Sequence, residues 1–246
     1  MSERIRLDLA LEQRGLVPSR ARARDAILRG TVTINGATAD KPNRMVGRDD
    51  VLALSDPAAN YVSRAALKLV AGLDAGTIDP SGKTCIDVGA STGGFTQVLM
   101  ERGARRIYAV DVGHDQFHDR LKGSDRVVSM EGVNARDLTT GDIPEPIDLL
   151  VSDISFVSVT KVLDAPLALC TPTAEAVILF KPQFEVGREN VGKGGIVNDE
   201  AAIATALTDV IAYVEGHGFK HRVSVTSPIA GGDGNVETVL VFGRSA

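Results

Sequence analysis

Two cysteines, four histidines, no tryptophan and 4% aromatic residues leave this chain of 246 residues with few groups that staple, ligate or stack. Cys85 and Cys170 both lie in apolar surroundings, which argues against a disulfide or metal site and for buried free thiols in a reducing compartment. His114, His118, His217 and His221 show no metal-ligand spacing with cysteines or acids, so no metal is expected. No apolar run approaches the ~20 residues of a membrane-spanning helix. Candidates such as Ala176–Phe180 are only strand length. The opening MSERIRLDLALEQR is charged from the start and shows no signal-peptide core. The expectation is a cytoplasmic, metal-free protein without membrane contact.

What is present suffices for a large core: 43% of residues are hydrophobic and 24% charged. The length fits one large domain, or a small one plus a large one. The net charge of −5 is unevenly spread. Residues 1–55 hold ten Lys/Arg against seven Asp/Glu, or +3, and the remaining 17 against 25 give −8. Arg14, Arg20, Arg22, Arg24 and Arg29 cluster around one expected helix. A basic module on an acidic body suits a polyanion held by the first and processed by the second.

The most informative stretch is Thr84–Gly113, which reads as strand, glycine-rich turn, helix and strand. Such a βαβ unit opens a crevice at the carboxyl ends of its strands, where nucleotide-like ligands bind. The turn, Gly89-Ala90-Ser91-Thr92-Gly93-Gly94, is not the G-x-G-x-x-G of dinucleotide enzymes. Nor is it a phosphate-binding loop, because Phe95 stands where the lysine belongs. Asp87 would set a negative charge near a pyrophosphate but suits a sulfonium and an amino group. Asp111 closes the second strand, where an acid accepts ribose hydroxyls. A dehydrogenase or an unliganded α/β domain stays open on these residues alone. The pattern D-V-G-A-S-T-G-G-F-T resembles the first motif of class I methyltransferases, which implies S-adenosylmethionine as cofactor. Asp87, Gly89, Ser91, Thr92, Gly93, Gly94 and Phe95 are then expected around the cofactor, with Asp111 on its ribose. Asn134 and Ala135, in the run Gly132–Arg136 after the strand Val127–Met130, are expected beside the adenine, and Asp153 near the methionine end.

At the other end of the chain, Ile5–Arg14 reads as a short helix ending at Gly15, and Ser19 caps a second helix that ends at Gly30. Thr31–Ile34 is an expected strand, Asn35-Gly36 a tight turn, and Asp50–Leu54 another short strand. R-L-D-x-x-L-x-x-x-G-L-V-x-S-R and I-L-R-G-T-V-T-I-N-G, spanning Arg6–Gly36, resemble the S4 RNA-binding domain. The resemblance implies that Arg6, Ser19, Arg20, Arg22, Arg24 and Arg29 contact RNA, chiefly its phosphates, with Arg64 added from the second domain. Residues 56–60, DPAAN, read as a linker between a domain at 1–55 and one at 61–246.

Four charged residues stand at informative places. Lys68 lies on an expected helix within YVSRAALKL, Asp153 closes the strand DLLVSDI, Lys181 follows Ala176–Phe180, and Glu237 begins the last strand. Singly, each reads as a solvated strand-end or helix-surface group. Together they resemble the K-D-K-E set of FtsJ-like RNA ribose 2′-O-methyltransferases. An S4 domain ahead of an FtsJ-like domain is similar to the TlyA family, also called haemolysins, and the likeness includes VGKGGIVND (191–199) and SPIAGGDGNVE (227–237). The resemblance implies an α/β fold. This is a class I, Rossmann-like, S-adenosylmethionine-dependent methyltransferase with a seven-stranded, mostly parallel sheet, helices on both faces and an antiparallel last strand. A small α+β S4 domain precedes it. It further implies 2′-O-methylation of ribose, the family suggesting cytidine, in small- or large-subunit ribosomal RNA. The partner is ribosomal RNA or a ribosomal subunit, with no obligate protein partner evident. Lys181 is expected to accept the hydroxyl proton or stabilise the oxyanion, supported by Lys68, Asp153 and Glu237. The rival expectations are a non-catalytic RNA-binding assembly factor and a membrane-active haemolysin.

Overall fold

A computed structural model describes residues 4–244 of the chain. The outermost residues of the two expected domains, 1–3 and 245–246, lie outside it. Two compact units emerge, Met1–Asn60 and Tyr61–Ala246.

The first unit runs β1 (Ile5–Arg6), α1 (Leu7–Gln13), α2 (Arg20–Leu28), β2 (Val32–Ile34), β3 (Ala37–Thr38), β4 (Met45–Val46) and β5 (Leu52–Leu54). Leu7, Leu11, Ala23, Ile27, Val32 and Val46 form its buried centre. Ser19 caps α2, accepting from the Arg22 amide at 3.3 Å. Asn35 and Gly36 both have positive φ, 52° and 82°, as a two-residue hairpin turn demands. One sequence expectation changes here. Ile5 and Arg6 are not helical; they pair antiparallel with Val46 and Met45, a ladder too short to leave a period in the sequence. Residues 56–60, the expected brief linker, are tied to the first unit. The Asp56 carboxylate accepts from both terminal nitrogens of Arg29 at 2.7 and 2.6 Å, and the Ala58 carbonyl accepts from Arg22 at 2.9 Å. Ala58 is fully buried, so the division falls after Asn60.

The second unit carries β6 (Thr84–Val88), β7 (Arg106–Asp111), β8 (Val127–Glu131), β9 (Ile147–Ser152), β10 (Cys170–Phe180), β11 (Lys220–Thr226) and β12 (Thr238–Gly243). Its helices are α3 (Ala66–Gly76), α4 (Gly94–Glu101), α5 (Asp119–Lys122), α6 (Asp164–Ala168), α7 (Pro182–Glu185) and α8 (Glu200–Gly216). The strands form one sheet in the order β11-β12-β10-β9-β6-β7-β8. It is parallel from β10 to β8, and β12 runs antiparallel to both its neighbours. Alternate residues feed two cores. Ile86, Leu150, Ile178 and Phe180 face one side with α8, while Leu149, Val151, Val177 and Leu179 face the other with α3 and α4. Both cysteines are buried and free, and burial pushes each thiol up to about 12.

Two local features place the site. Helix α3 starts at Ala66, later than the expected Tyr61, because Gln97 holds the Val62 amide at 2.8 Å and Ser63 accepts from the Ala65 amide at 3.2 Å. It then runs tight against the sheet, since a Cβ on Gly72 would stand 2.6 Å from Val177 and 2.7 Å from Val239. Lys68 therefore sits on the buried face of α3.

Candidate active site

The carboxyl ends of β6, β7, β9 and β10 deliver Gly89, Asp111, Asp153 and Lys181 to one edge of the sheet. Gly89 has φ 87°, and a Cβ there would lie 3.0 Å from the Asp153 carbonyl oxygen, so the glycine-rich turn can lie directly on the end of β9. Two adjoining cavities open at this edge, of about 460 and 490 Å³, sharing Gly89, Ser91, Asp153, Ser155 and Phe156 in their walls.

The first cavity holds Lys68, Asp153, Lys181 and Glu237 together. Lys68 Nζ lies 2.5 Å from Glu237 Oε2 and 3.9 Å from Asp153 Oδ2, and Lys181 Nζ lies 2.5 Å from Asp153 Oδ1. Asp153 thus bridges two lysines, and Glu237 balances the outer one. Side-chain exposure is only 8%, 14%, 7% and 3% in chain order, so the four charges are withdrawn from bulk water as a neutral set. Burial at this level demands such pairing. Lys181 also donates to Ser155 Oγ at 2.8 Å and to the Asp153 carbonyl at 3.4 Å.

The second cavity receives Asp111, Asn134 and Ala135. Asp111 accepts from the Ser91 and Gly113 amides, both at 2.7 Å, one on each oxygen, which fixes the carboxylate and leaves each oxygen a further lone pair. Asn134 Oδ1 accepts from the Arg136 amide at 3.2 Å, and Ala135 is buried behind it. The loop after Asp111 is anchored by Glu131, which accepts from the Phe117 and Gln116 amides at 3.0 and 2.8 Å and pairs with Lys122. These bonds bring its carboxyl down to about 2.

Of the residues expected around the cofactor, Gly89, Ser91, Thr92, Gly94 and Phe95 line the first cavity. Gly93 and Asp87 line neither. Gly93 packs against Phe117 and Leu121. Asp87 is fully buried beneath the turn: Oδ2 accepts from Thr96 Oγ1 at 2.7 Å, Oδ1 has no protein partner, and burial raises the carboxyl to about 7. Its bond to Thr96 ties the end of β6 to the first turn of α4.

The expected RNA contacts divide similarly. Arg20 and Arg24 are exposed on α2. Arg6 and Arg20 both pair with the buried Asp8, at 2.9 and 3.0 Å, and the Arg6 bonds first, then those of Arg20, hold that carboxyl down to about 2. Arg29 pairs with Asp25 and Asp56 and keeps 15% of its side chain exposed, and Arg22 donates to the Ala58 carbonyl. Ser19 serves as the α2 cap, and Arg64 is half-buried in the turn ahead of α3.

Sequence reading missed Phe156 and Phe184, which line the first cavity with ring centroids 5.5 Å apart. Phe156 is 92% exposed and adopts φ 70°, an uncommon combination for an aromatic residue. A residue in an irregular loop carries no periodicity, so only its proximity to Asp153 hinted at it. Asn235 was missed too. Its side chain is buried, donates to the Gly195 carbonyl at 2.8 Å and accepts from the Val197 amide at 2.9 Å. It fastens the glycine-rich segment 191–198 to the loop that delivers Glu237. Among the described residues, no cluster of His, Cys, Asp or Glu is placed to hold a metal, and no helix is long and apolar enough to cross a membrane.

Comparison with known proteins agrees with this geometry. Residues 61–244 match the FtsJ-like methyltransferase family and residues 5–52 the S4 domain. The chain is 43% identical over 242 residues to the 16S/23S rRNA (cytidine-2′-O)-methyltransferase TlyA of Mycobacterium tuberculosis, covering 98% of this chain and 90% of that protein. It is 38% identical to Hemolysin A of Brachyspira hyodysenteriae, covering 97% and 99%. A solved structure from Streptococcus thermophilus, named a hemolysin, superposes with a TM-score of 0.76 at 35% identity, covering all of this chain and 90% of that one. This chain belongs to the FtsJ-like methyltransferases, in the TlyA group that carries an S4 domain ahead of the methyltransferase fold.

Proposed function

We propose that this protein methylates the 2′-oxygen of a cytidine ribose in ribosomal RNA, using S-adenosylmethionine, with the S4 unit holding the RNA. The observation that carries the reading is the buried Glu237–Lys68–Asp153–Lys181 chain beside a cavity suited to the cofactor. Asp111 has lone pairs left for ribose hydroxyls, Gly89 leaves room for close approach, and Asn134 and Ala135 line the cavity of about 490 Å³ where an adenine would be held. Asp153, shared by both cavities, faces the cationic end. Bound S-adenosylmethionine supplies an electrophilic methyl group on a sulfonium, which leaves as a neutral thioether.

The protein's own residues do the rest. A ribose hydroxyl is a poor nucleophile at neutral pH, so its proton must be drawn away as the oxygen acquires the methyl. As an ammonium Lys181 stabilises the developing oxyanion, and it takes the proton itself only after first releasing one of its own to solvent. Asp153 fixes Lys181 from one side and Lys68 from the other, and Glu237 keeps Lys68 in place. Holding the 2′-oxygen in line with the methyl contributes much of the acceleration. Phe156 and Phe184 offer ring faces to a base drawn out of its stack, which is how single-stranded RNA is engaged. The exposed Arg20 and Arg24 meet phosphates and position the RNA without reading its sequence. The protein acts in the cytoplasm on this reading, on rRNA or an assembled subunit.

Mapping 2′-O-methylation in rRNA from cells with and without the gene tests the reading. A cytidine methylated only when the gene is present supports it. An identical map, together with no transfer of labelled methyl to subunits from the deficient cells, overturns it and favours a non-catalytic assembly role.

A further inference from the structure

Lys181 faces the first cavity with hydrogen-bond partners already in place. An ammonium has three N–H donors and no lone pair. Lys181 Nζ donates to Ser155 Oγ at 2.8 Å and to the Asp153 carbonyl at 3.4 Å, and it is ion-paired with Asp153 Oδ1 at 2.5 Å. The shorter of these two hydrogen bonds is the one to Ser155, and a hydroxyl approaching Nζ from the cavity competes with it for that place.

The three partners differ in how easily they can leave. The Asp153 carboxylate is 14% exposed and held on its far side by Lys68. Its carbonyl belongs to the backbone that lies under Gly89. Ser155 is exposed, lines both cavities, and has Lys181 as its hydroxyl's one protein partner among the described residues. A single rotation about χ1 moves it off. The positive φ of Phe156 turns the chain just beyond it, so Ser155 keeps its hydroxyl on Lys181 while the next side chain stands 92% exposed.

The chemistry of that partner is telling. A serine hydroxyl and a ribose 2′-hydroxyl are the same functional group, an aliphatic alcohol that accepts from an ammonium and donates to an amine. We propose that Ser155 occupies, in the free protein, the seat at Lys181 Nζ that the acceptor 2′-hydroxyl takes, and that it swings away as RNA docks. The proposal rests on the assignment of Lys181 made above and deepens it. A buried ammonium is then never left short of an acceptor while the site is empty of RNA. The exchange is alcohol for alcohol. A nucleotide lacking the 2′-hydroxyl has nothing to offer in return, so the seat itself discriminates ribose from deoxyribose. Ser155 is on this account a placeholder. It occupies the acceptor's place in the free protein and takes no part in the transfer.

A cycle between the serine hydroxyl and the substrate hydroxyl tests this. Wild type, Ser155→Ala and Ser155→Thr are compared on an rRNA fragment that the wild type methylates, carrying ribose or 2′-deoxyribose at the target cytidine. Both the dissociation constant and the single-turnover rate are measured in the full chain. Ser155→Ala should bind the ribose fragment about tenfold tighter, as expected when no hydrogen bond to a charged group must be displaced. It should bind the deoxyribose fragment as the wild type does and keep its rate within about threefold. Ser155→Thr should behave as wild type on both. An equal change on both fragments indicates a merely structural role and overturns the proposal. So does a loss of rate of about tenfold or more in Ser155→Ala that Ser155→Thr restores, because the hydroxyl is then a proton relay. Lys181→Ala serves as control: if it methylates at a near-normal rate, the assignment of Lys181 itself fails, an outcome distinct from either result at Ser155.

Discussion

The two units handle charge in opposite ways. In Met1–Asn60, the half-exposed Arg6 and Arg20 reach down to the buried Asp8, and Arg29 is itself largely buried between Asp25 and Asp56. In Tyr61–Ala246, two lysines and two acids are withdrawn together into a cavity wall. Exposed ion pairs contribute at most about 1 kcal/mol and tolerate loss of a member. A buried set does not, because removing one partner strands the others at a cost of about 3–5 kcal/mol. A count of basic residues therefore overstates what the first unit can offer RNA, while a count of strand-end charges understates what the second has assembled.

Substitutions can break this contrast, beginning with the largest effect. Lys181→Ala should lower single-turnover methylation by about 10²–10⁴-fold, the range for a lost general base or oxyanion stabiliser, with cofactor binding measured by calorimetry little changed. Near-normal turnover removes Lys181 from its role. Asp111→Ala should raise the cofactor dissociation constant by about 10- to 100-fold, as loss of charge-assisted hydrogen bonds does. Unchanged calorimetric binding refutes its contact with the ribose. Phe156→Ala should raise the RNA dissociation constant by about tenfold through weaker stacking, as read by a binding titration with an rRNA fragment.

The sharpest comparison lies inside the first unit. Arg24→Ala should weaken RNA binding a few-fold and flatten the plot of log affinity against log salt by about one unit, because one phosphate is no longer neutralised. Arg29→Ala should instead lower the melting temperature, having given up its bidentate bond to Asp56, and leave that slope unchanged. If both residues alter the slope equally, the division into displayed and internally paired arginines is wrong.

The smallest effect concerns Asp87. Its carboxyl is raised to about 7 in the folded chain, so the folded chain keeps a proton that the unfolded chain loses near pH 4. Stability contributed in this way is present in full below about pH 4 and is lost as the pH rises through about 7. Asp87→Asn, which can still accept from Thr96, should remove that slope. A denaturation series from pH 5 to 8 reads it, and an unchanged slope places the pH dependence elsewhere.

Much of this was legible in the sequence because it was periodic or positional. The βαβ unit showed as a short apolar run, a glycine-rich turn and an acid, and the seven-stranded sheet followed from the family it resembles. The four charged residues were found at strand ends and on one helix. Their mutual distances were not legible, since Lys68 and Glu237 are far apart in the chain yet 2.5 Å apart in space. Ser155, Phe156 and Asn235 lie in loops, where composition carries no phase. Asp87 was legible by its place just before the glycine-rich turn. Its Thr96 bond and complete burial depend on packing that no local pattern encodes. Ile5–Arg6 differs from the expected helix because a partner elsewhere, Met45–Val46, decides its conformation.

The place of β12 between β10 and β11 has a consequence for synthesis. β11 is made before β12, yet it has no other neighbour in the sheet, so a growing chain carries it unpaired until the following strand emerges. Glu237 arrives with that same strand. Pairings of high sequence separation form late, and exposed strand edges invite association with other chains. The segment from Glu237 through β12 thus closes both the sheet and the charged cluster, and neither is complete in a growing chain before it emerges.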